Sequence, residues 1–292
     1  MGRLLSLVLL FAVFFSSSLF GYDFVRDVEY AEAPDTGMDI YFPRSAERQG
    51  AAGCVLMLHG GSWMGGDKEE PTLRACRLAR QGYVVASINY TLYSEEIADR
   101  YTVNTVLDEI DAALAALSDF AAARGVRLVA AATEGYSAGA HLALLYAYTR
   151  GASAPVPVVF TAALAAPADL SLYGESGEWV TEMLTGIPLT DEMRGSGETA
   201  ALTASVSPVS YVASGGVPTV VAHGERDTTV PVAHAEALTA ALQEAGVPFV
   251  YHHFSHSDHT LVTDLGKRYA YNRTLTEFCR RYLDPAALAA TT

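Results

Sequence analysis

A Gly-Tyr-Ser-Ala-Gly pentapeptide at residues 135–139 constrains the fold more than any other feature of the chain. The apolar run at 128–132 predicts a buried strand before it, and residues 140–145 predict the start of a helix after it. A sharp turn between a strand and a helix strains the backbone of the central serine and exposes its Oγ, while flanking glycines leave room. Ser137 is therefore predicted to be a nucleophile, the alternative being an ordinary helix N-cap.

A second glycine motif, His-Gly-Gly-Ser-Trp at 59–63, follows the apolar, strand-like run at 54–58. Glycines directly after a strand let backbone N–H groups face an incoming carbonyl oxygen. We predict that Gly60, Gly61 and Ala138 supply the amides of an oxyanion hole, in which one lost donor costs about 3 kcal/mol. Trp63 is predicted to line the same site. Taken alone, the two glycines are also typical of a tight turn.

An acid and a histidine follow in an informative order. Asp227 comes after a predicted strand at 217–222, and His259 comes after another at 249–254. The order Ser137, Asp227, His259 differs from that of the chymotrypsin and subtilisin triads. Glu225 is the alternative acid, and His256 is the alternative histidine.

Four histidines at 252, 253, 256 and 259 also raise the question of a metal site. Neighbouring residues on a strand point to opposite faces, so His252 and His253 cannot readily share an ion. The spacing also lacks the helical frame or the cysteine pair that is typical of zinc sites. We predict no metal.

Together these motifs resemble the α/β-hydrolase-fold esterases of the carboxylesterase and lipase superfamily. The resemblance is strongest to the bacterial H-G-G-x-W group, which includes feruloyl and acetyl-xylan esterase-like proteins and the kynurenine formamidases. It extends from residue 38 to His259, with further agreement at 82–90, 166–170, 207–212 and in His223-Gly224-x-x-Asp227.

The resemblance implies the chemistry of a serine hydrolase, and we predict an esterase that acts on short-chain carboxylic esters without a cofactor. Ser137 would attack the acyl carbon, His259 would carry the proton, and Asp227 would orient the imidazole. Only about thirty residues lie between the predicted signal peptide and the first motif strand, so we expect an open site that takes a short acyl group or an ester on a polysaccharide. An arylformamidase-like amide hydrolase and a catalytically silent hydrolase-fold binding protein remain the alternatives.

The implied architecture is an α/β fold with a mostly parallel central sheet and helices on both faces. The chain has 292 residues, half of them hydrophobic, which suffices for one large domain at 22–292. Apolar residues at three- and four-residue spacing predict a helix from Thr102 to Phe120.

Residues 170–208 interrupt the alternation of strands and helices. We predict a small helical cap insertion here, in which Trp179 and Met183 contribute apolar surface to the acyl pocket. The alternative is a packed surface segment without substrate contact.

The N-terminus predicts export to the periplasm or the medium. Arg3 precedes an apolar stretch from Leu4 to Phe15, which is too short for a transmembrane span of about 20 residues. We predict a signal peptide at 1–21; an uncleaved signal-anchor is the alternative.

Removal of residues 1–21 takes only Arg3 from the 19 basic residues, leaving 18 against 33 acidic and a net charge of −15. Such a surface repels nucleic acids and anionic lipids, so neither is an expected partner. The three cysteines cannot all pair within one chain, and a bond between Cys76 and Cys279 stays open.

Overall fold

A computed structural model of the protein describes residues 21–33 and 35–286. The predicted signal peptide therefore lies, apart from Gly21, outside the described residues. An eight-stranded sheet runs through the molecule in the order β1-β2-β4-β3-β5-β6-β7-β8. The strands are β1 (Tyr22–Glu29), β2 (Gly37–Pro43), β3 (Ala51–Leu58), β4 (Val84–Ile88), β5 (Arg127–Tyr136), β6 (Val158–Leu164), β7 (Thr219–Gly224) and β8 (Phe249–Phe254).

The sheet is mostly parallel. β1 pairs with β2 and β2 pairs with β4 in antiparallel register, whereas every pairing from β4 to β8 is parallel. The carboxyl ends of the parallel strands therefore meet at one edge, where open α/β sheets bind their ligands. The loops after β3, β5, β7 and β8 all leave from this edge, and they carry the residues singled out in the sequence.

Helices cover both faces of the sheet. They are α1 (Arg44–Gln49), α2 (Thr72–Arg80), α3 (Val103–Ala122), α4 (Ala138–Thr149), α5 (Glu175–Thr185), α6 (Asp191–Ser196), α7 (Glu198–Ser205), α8 (Ala233–Glu244) and α9 (Leu265–Tyr282). Alternate residues of β3 pack into different layers: Leu56 packs with α3 and α4, and Val55 packs with α2 and α9. Burial on both faces explains why the central strands read as continuous apolar runs.

The predicted helix from Thr102 to Phe120 is confirmed as α3. Thr102 is its N-cap, with a side-chain oxygen that accepts a hydrogen bond from the Thr105 amide at 3.3 Å. The predicted apolar stripe is buried along its whole length: Val103, Val106, Leu107, Ile110, Leu114 and Leu117.

Residues 170–208 lie between β6 and β7 and contain α5, α6 and α7. Trp179 is 45% exposed, whereas Met183, one helical turn later, is buried. Cys54, Cys76 and Cys279 are all free thiols. Within the described ranges, no helix combines the length and the apolar character needed to cross a membrane.

Candidate active site

Ser137 occupies a strained turn between β5 and α4. Its φ of 54° and ψ of −121° lie in a region that a residue with a side chain rarely adopts. The Ser137 amide donates to the Leu164 carbonyl at 2.8 Å, and the Ser137 carbonyl accepts from the His141 amide at 3.0 Å. These backbone bonds tie the turn to β6 on one side and to the first turn of α4 on the other.

The glycines that flank Ser137 are required by close backbone approach. A Cβ atom on Gly135 would lie 2.1 Å from the Gly139 carbonyl oxygen, and one on Gly139 would lie 2.2 Å from that of His59. No side chain fits at such distances. The turn therefore packs directly against the loop that follows β3.

The structure brings Ser137, His259 and Asp227 into one chain of hydrogen bonds. His259 Nε2 lies 3.0 Å from Ser137 Oγ, and His259 Nδ1 lies 2.7 Å from Asp227 Oδ2. An ionised carboxylate only accepts, so Nδ1 donates to Asp227 and Nε2 is left to accept the serine proton. The His259 carbonyl accepts the Tyr136 hydroxyl at 3.0 Å, which fixes the backbone of its loop.

Asp227 is held by four partners. Asp227 Oδ2 accepts from His259, and Asp227 Oδ1 accepts from the amides of Thr229 at 2.9 Å and Val230 at 2.8 Å. The buried His223 places Nε2 3.4 Å from Asp227 Oδ2 and 2.8 Å from the Val230 carbonyl. Burial acts to raise the pKa of Asp227, but the hydrogen bonds from His223, His259 and Val230 outweigh it and hold that pKa well below its usual range.

The alternative residues have other partners. His256 pairs with Asp264 at 3.0 Å, and Glu225 pairs with His253 at 2.7 Å. His252 lies 3.0 Å from the Thr274 hydroxyl. No three His, Cys, Asp or Glu side chains in the described part of the chain are grouped so that they could hold a metal ion.

Of the two glycine amides next to the serine, only one is free. The Gly60 amide lies 3.4 Å from Glu70 Oε2, so it is directed to that carboxylate. Neither the Gly61 amide nor the Ala138 amide donates to another described residue. The Ala138 amide belongs to the first turn of α4, where helical N–H groups have no internal acceptor. Gly61 and Ala138 thus offer two backbone donors.

A pocket of about 250 Å³ has Ser137 and Ala138 in its lining. Trp63 lines it from the loop after β3, and Trp179 lines it from α5. Met183, in contrast, is buried in the core and is not part of this lining. Trp179 and Met183 are four residues apart on α5, but only Trp179 faces the pocket.

Sequence reasoning did not assign roles to several residues that the structure places at the site. His223 lies against Asp227, and the Tyr136 ring lies 5.2 Å from that of His259. Buried His141 packs edge-on against Trp63, with 5.2 Å between ring centroids. The only sequence signal for His223 was its place in the His-Gly-x-x-Asp pattern, four residues before the acid.

A serine hydroxyl bonded to an imidazole, with a carboxylate behind it, can perform nucleophilic acyl transfer. Residues 38–242 match the model of the BD-FAE family. Because this match spans more than half of the chain, the protein belongs to the BD-FAE family of α/β-hydrolase esterases.

Individual proteins agree with this assignment. Over 202 residues the chain is 30% identical to esterase LipQ of Mycobacterium tuberculosis, covering 67% of this chain and 47% of LipQ. The chain therefore spans about half the length of that relative.

Two solved structures are similar over most of their length. A truncated carbohydrate esterase from gut microbiota has a TM-score of 0.69 at 18% identity, covering 89% of this chain and 96% of its own. A propionate-bound esterase of the planctomycete Thermogutta terrifontis has a TM-score of 0.68 at 19% identity, covering 89% and 94%. They show that the fold is that of the α/β-hydrolases.

Proposed function

We propose that the protein is a serine esterase that hydrolyses short-chain carboxylic esters through an acyl-enzyme intermediate. The observation that carries the proposal is the hydrogen-bond chain from Ser137 through His259 to Asp227. It starts at a strained turn and lies beside the two free amides of Gly61 and Ala138. The family and the similarity to esterase LipQ support the same class of reaction.

In the first half-reaction, Ser137 Oγ attacks the acyl carbon while His259 Nε2 takes the hydroxyl proton. The negative charge that forms on the carbonyl oxygen is stabilised by the free backbone donors. Asp227, kept ionised by its low pKa, stabilises the imidazolium of His259. The C–O bond to the alcohol then breaks, and His259 returns the proton to the leaving oxygen.

In the second half-reaction, water takes the place of the alcohol. His259 accepts a proton from the water molecule, which attacks the acyl carbon of the ester on Ser137. Collapse of the second tetrahedral intermediate releases the acid, and the proton returns to Ser137. Every step uses groups of the chain itself, so the proposal invokes no cofactor.

We assign a short acyl group because the pocket at Ser137 is small, about 250 Å³, and has the bulky side chains of Trp63 and Trp179 in its lining. One similar structure carries propionate, and another is that of a carbohydrate esterase. Both support an acyl ester as the substrate, which in this proposal is small or attached to a polysaccharide. In the same proposal, residues 170–208 act as a cap over the acyl pocket.

Hydrolysis of p-nitrophenyl acetate, butyrate and octanoate by the wild type and by Ser137→Ala tests the proposal. We expect activity on acetate or butyrate that falls by at least about 10⁴-fold in the variant, because the acyl-enzyme cannot form. Equal low activity in both proteins would contradict the assignment of Ser137.

Two further assays separate the rival functions. Faster hydrolysis of N-formylaniline than of any p-nitrophenyl ester would favour an amide hydrolase with the same three residues. Failure of a fluorophosphonate to label Ser137 in the folded protein would favour a silent binding protein.

We also propose that the protein is exported, on the basis of the apolar N-terminal stretch and the acidic composition of the rest of the chain. Mass spectrometry of the protein from its native host should find a mature N-terminus near residue 21. A mature N-terminus at Met1 would overturn this part of the proposal.

A further inference from the structure

A second cavity, of about 260 Å³, lies on the α2 and α9 side of the sheet edge. It is lined by Tyr136 and Thr260, the chain neighbours of Ser137 and His259. The Tyr136 ring lies 5.2 Å from the His259 ring, so Tyr136 is a neighbour of both the cavity and the candidate catalytic histidine. The volume is below the roughly 300–1,000 Å³ of a complete ligand site and suits a subsite for one substituent.

Arg74 and Arg268 each have guanidinium N–H groups that make no hydrogen bond to a described residue. Arg74 Nε lies 3.0 Å from Oε1 of the buried Glu134, and Tyr271 donates to the same oxygen at 2.9 Å. This ion pair anchors Arg74, while its two Nη groups make no hydrogen bond to any residue that the structure describes. The exposed Arg268 on α9 has neither an ion pair nor a side-chain hydrogen bond within the same ranges.

The charged side chains in the lining of the cavity are Arg74, Arg268 and Glu70. Outside the lining, Glu134 pairs with Arg74, and Asp227 and Asp258 act on Tyr136. The rest of the chain is strongly acidic, with a net charge of −14 for the full sequence. Glu134 is committed to Arg74 and Tyr271, so Glu70 is the carboxylate that a ligand would meet.

From this arrangement we propose that the cavity is a carboxylate-binding site. Arg74 and Arg268 present the planar, multiple-donor geometry that pairs well with carboxylate oxygens. The carboxylate can belong to the alcohol portion of the ester, which would then span Tyr136 with its scissile bond at Ser137. This form rests on the proposed esterase function. The carboxylate can also come from a free acid, in which case binding of that acid near His259 changes the rate of ester hydrolysis.

The test compares two acetyl esters that differ by one charge, 4-acetoxybenzoate and its methyl ester, at pH 8. The measured quantity is the ratio of kcat/KM for the charged ester to that for the neutral ester. We expect Arg268→Gln to lower this ratio about fivefold, the size of one exposed charge pair, mainly through KM. Arg268→Lys should retain only part of the preference, because it keeps the charge but loses the planar set of donors.

Two more variants sharpen the comparison. Glu70→Gln should raise the same ratio, because it removes the one carboxylate that repels the ligand while its amide oxygen can still accept the Gly60 N–H. Arg280→Gln is the control on α9, since Arg280 is equally exposed but lies outside the cavity lining. It should leave the ratio unchanged.

Inhibition of p-nitrophenyl acetate hydrolysis by benzoate distinguishes the two sources. A weaker inhibition in Arg268→Gln with an unchanged ester ratio would support a site for a free carboxylate. The same ester ratio and the same inhibition in wild type, Arg268→Gln and Arg280→Gln would overturn the proposal. If the wild type cleaves no ester, the esterase function fails, and calorimetry of benzoate with wild type and Arg268→Gln decides the carboxylate site by itself.

Discussion

The two sides of Ser137 are built in different ways. On the acid side, Asp227 is buried and receives hydrogen bonds from two histidines and two backbone amides. On the cap side, the pocket is bounded by Trp179, nearly half exposed, on one of three short helices between β6 and β7. The acid side is fixed by many mutual contacts, whereas the lining on the cap side includes a large side chain, Trp179, that is only partly packed.

This difference separates the chemistry of the reaction from the choice of substrate. Proton transfer requires donor and acceptor within hydrogen-bond reach, and a buried network with every partner satisfied provides that precision. The fit of an acyl chain tolerates changes of a methylene or two. We therefore expect substitutions on the acid side to change kcat strongly and substitutions on the cap side to change selectivity.

The largest effect is expected from Asp227→Asn. An amide in this position favours the wrong tautomer of His259, and the loss in kcat should be about 10⁴-fold. The control is Asp264→Asn, which alters the carboxylate that pairs with His256. Assays on p-nitrophenyl acetate should show little change in that control. A larger loss of kcat in Asp264→Asn than in Asp227→Asn would contradict the assignment of Asp227 as the catalytic acid.

A smaller effect on kcat is expected at His223, which contacts Asp227. His223→Leu removes a donor from Asp227 and from the Val230 carbonyl, and kcat should fall about tenfold or more, because a hydrogen bond to a charged group contributes roughly 1.5–3 kcal/mol. KM should stay constant, and His223→Gln should restore part of the rate.

His253→Leu is the matched control for His223→Leu, because His253 pairs with Glu225 at the surface. It should leave kcat unchanged. Equal losses in both variants would mean that His223 acts only through the stability of the fold.

Two buried histidines that pack against residues 170–208 should make the stability of the protein acid-sensitive: His141 Nε2 lies 2.7 Å from the Val206 carbonyl, and the His234 ring lies 4.5 Å from that of Tyr173. Burial lowers the pKa of His141 and of His234 from 6.5 to about 4. Both groups are neutral in the folded state and become protonated first in the unfolded state, so their contribution to stability is complete above pH 6.5 and is lost as the pH falls toward 4.

Each of these histidines should contribute a slope of about 1.4 kcal/mol per pH unit to the free energy of unfolding. Urea unfolding at pH 7, 6 and 5 measures this slope, which His141→Gln should reduce. The control is His256→Gln at an exposed site. A slope unaffected by His141→Gln would show that His141 is not buried in its neutral form.

The smallest effect is expected at the cap. Trp179→Ala opens one wall of the pocket, so the ratio of octanoate to butyrate hydrolysis should rise about three- to tenfold. Ile187→Ala is the control, because Ile187 is similarly exposed in the same segment but does not line the pocket. An unchanged ratio in Trp179→Ala would mean that residues 170–208 only cover the surface.

The sequence predicted those parts of the structure that depend on the local order of residues along the chain. The elbow at Ser137 could be predicted because strand, glycines and helix are consecutive, and α3 could be predicted because its apolar stripe repeats along one helix. The positions of Asp227 and His259 followed from their order after Ser137 and from the resemblance.

Contacts between distant segments could not be predicted in the same way. The capture of the Gly60 amide by Glu70 depends on how the loop after β3 folds back toward α2. The different burial of Trp179 and Met183 depends on the rotation of α5 about its axis, which packing decides and helical spacing does not. The closeness of His223 to Asp227 depends on the turn that follows β7.

The contact at Gly139 has a consequence for how this protein can change over time or in the laboratory. Because the backbone beside the nucleophile touches the carbonyls of Leu58 and His59 without an intervening side chain, the serine and the amide of Gly61 are carried by one rigid body. Substitution at residues 135 and 139 should abolish the reaction, because no Cβ atom fits at either position, whereas exposed positions of residues 170–208 such as Trp179 and Ile187 tolerate changes that the buried Met183 does not. A mutant library aimed at new substrates is therefore best confined to that segment.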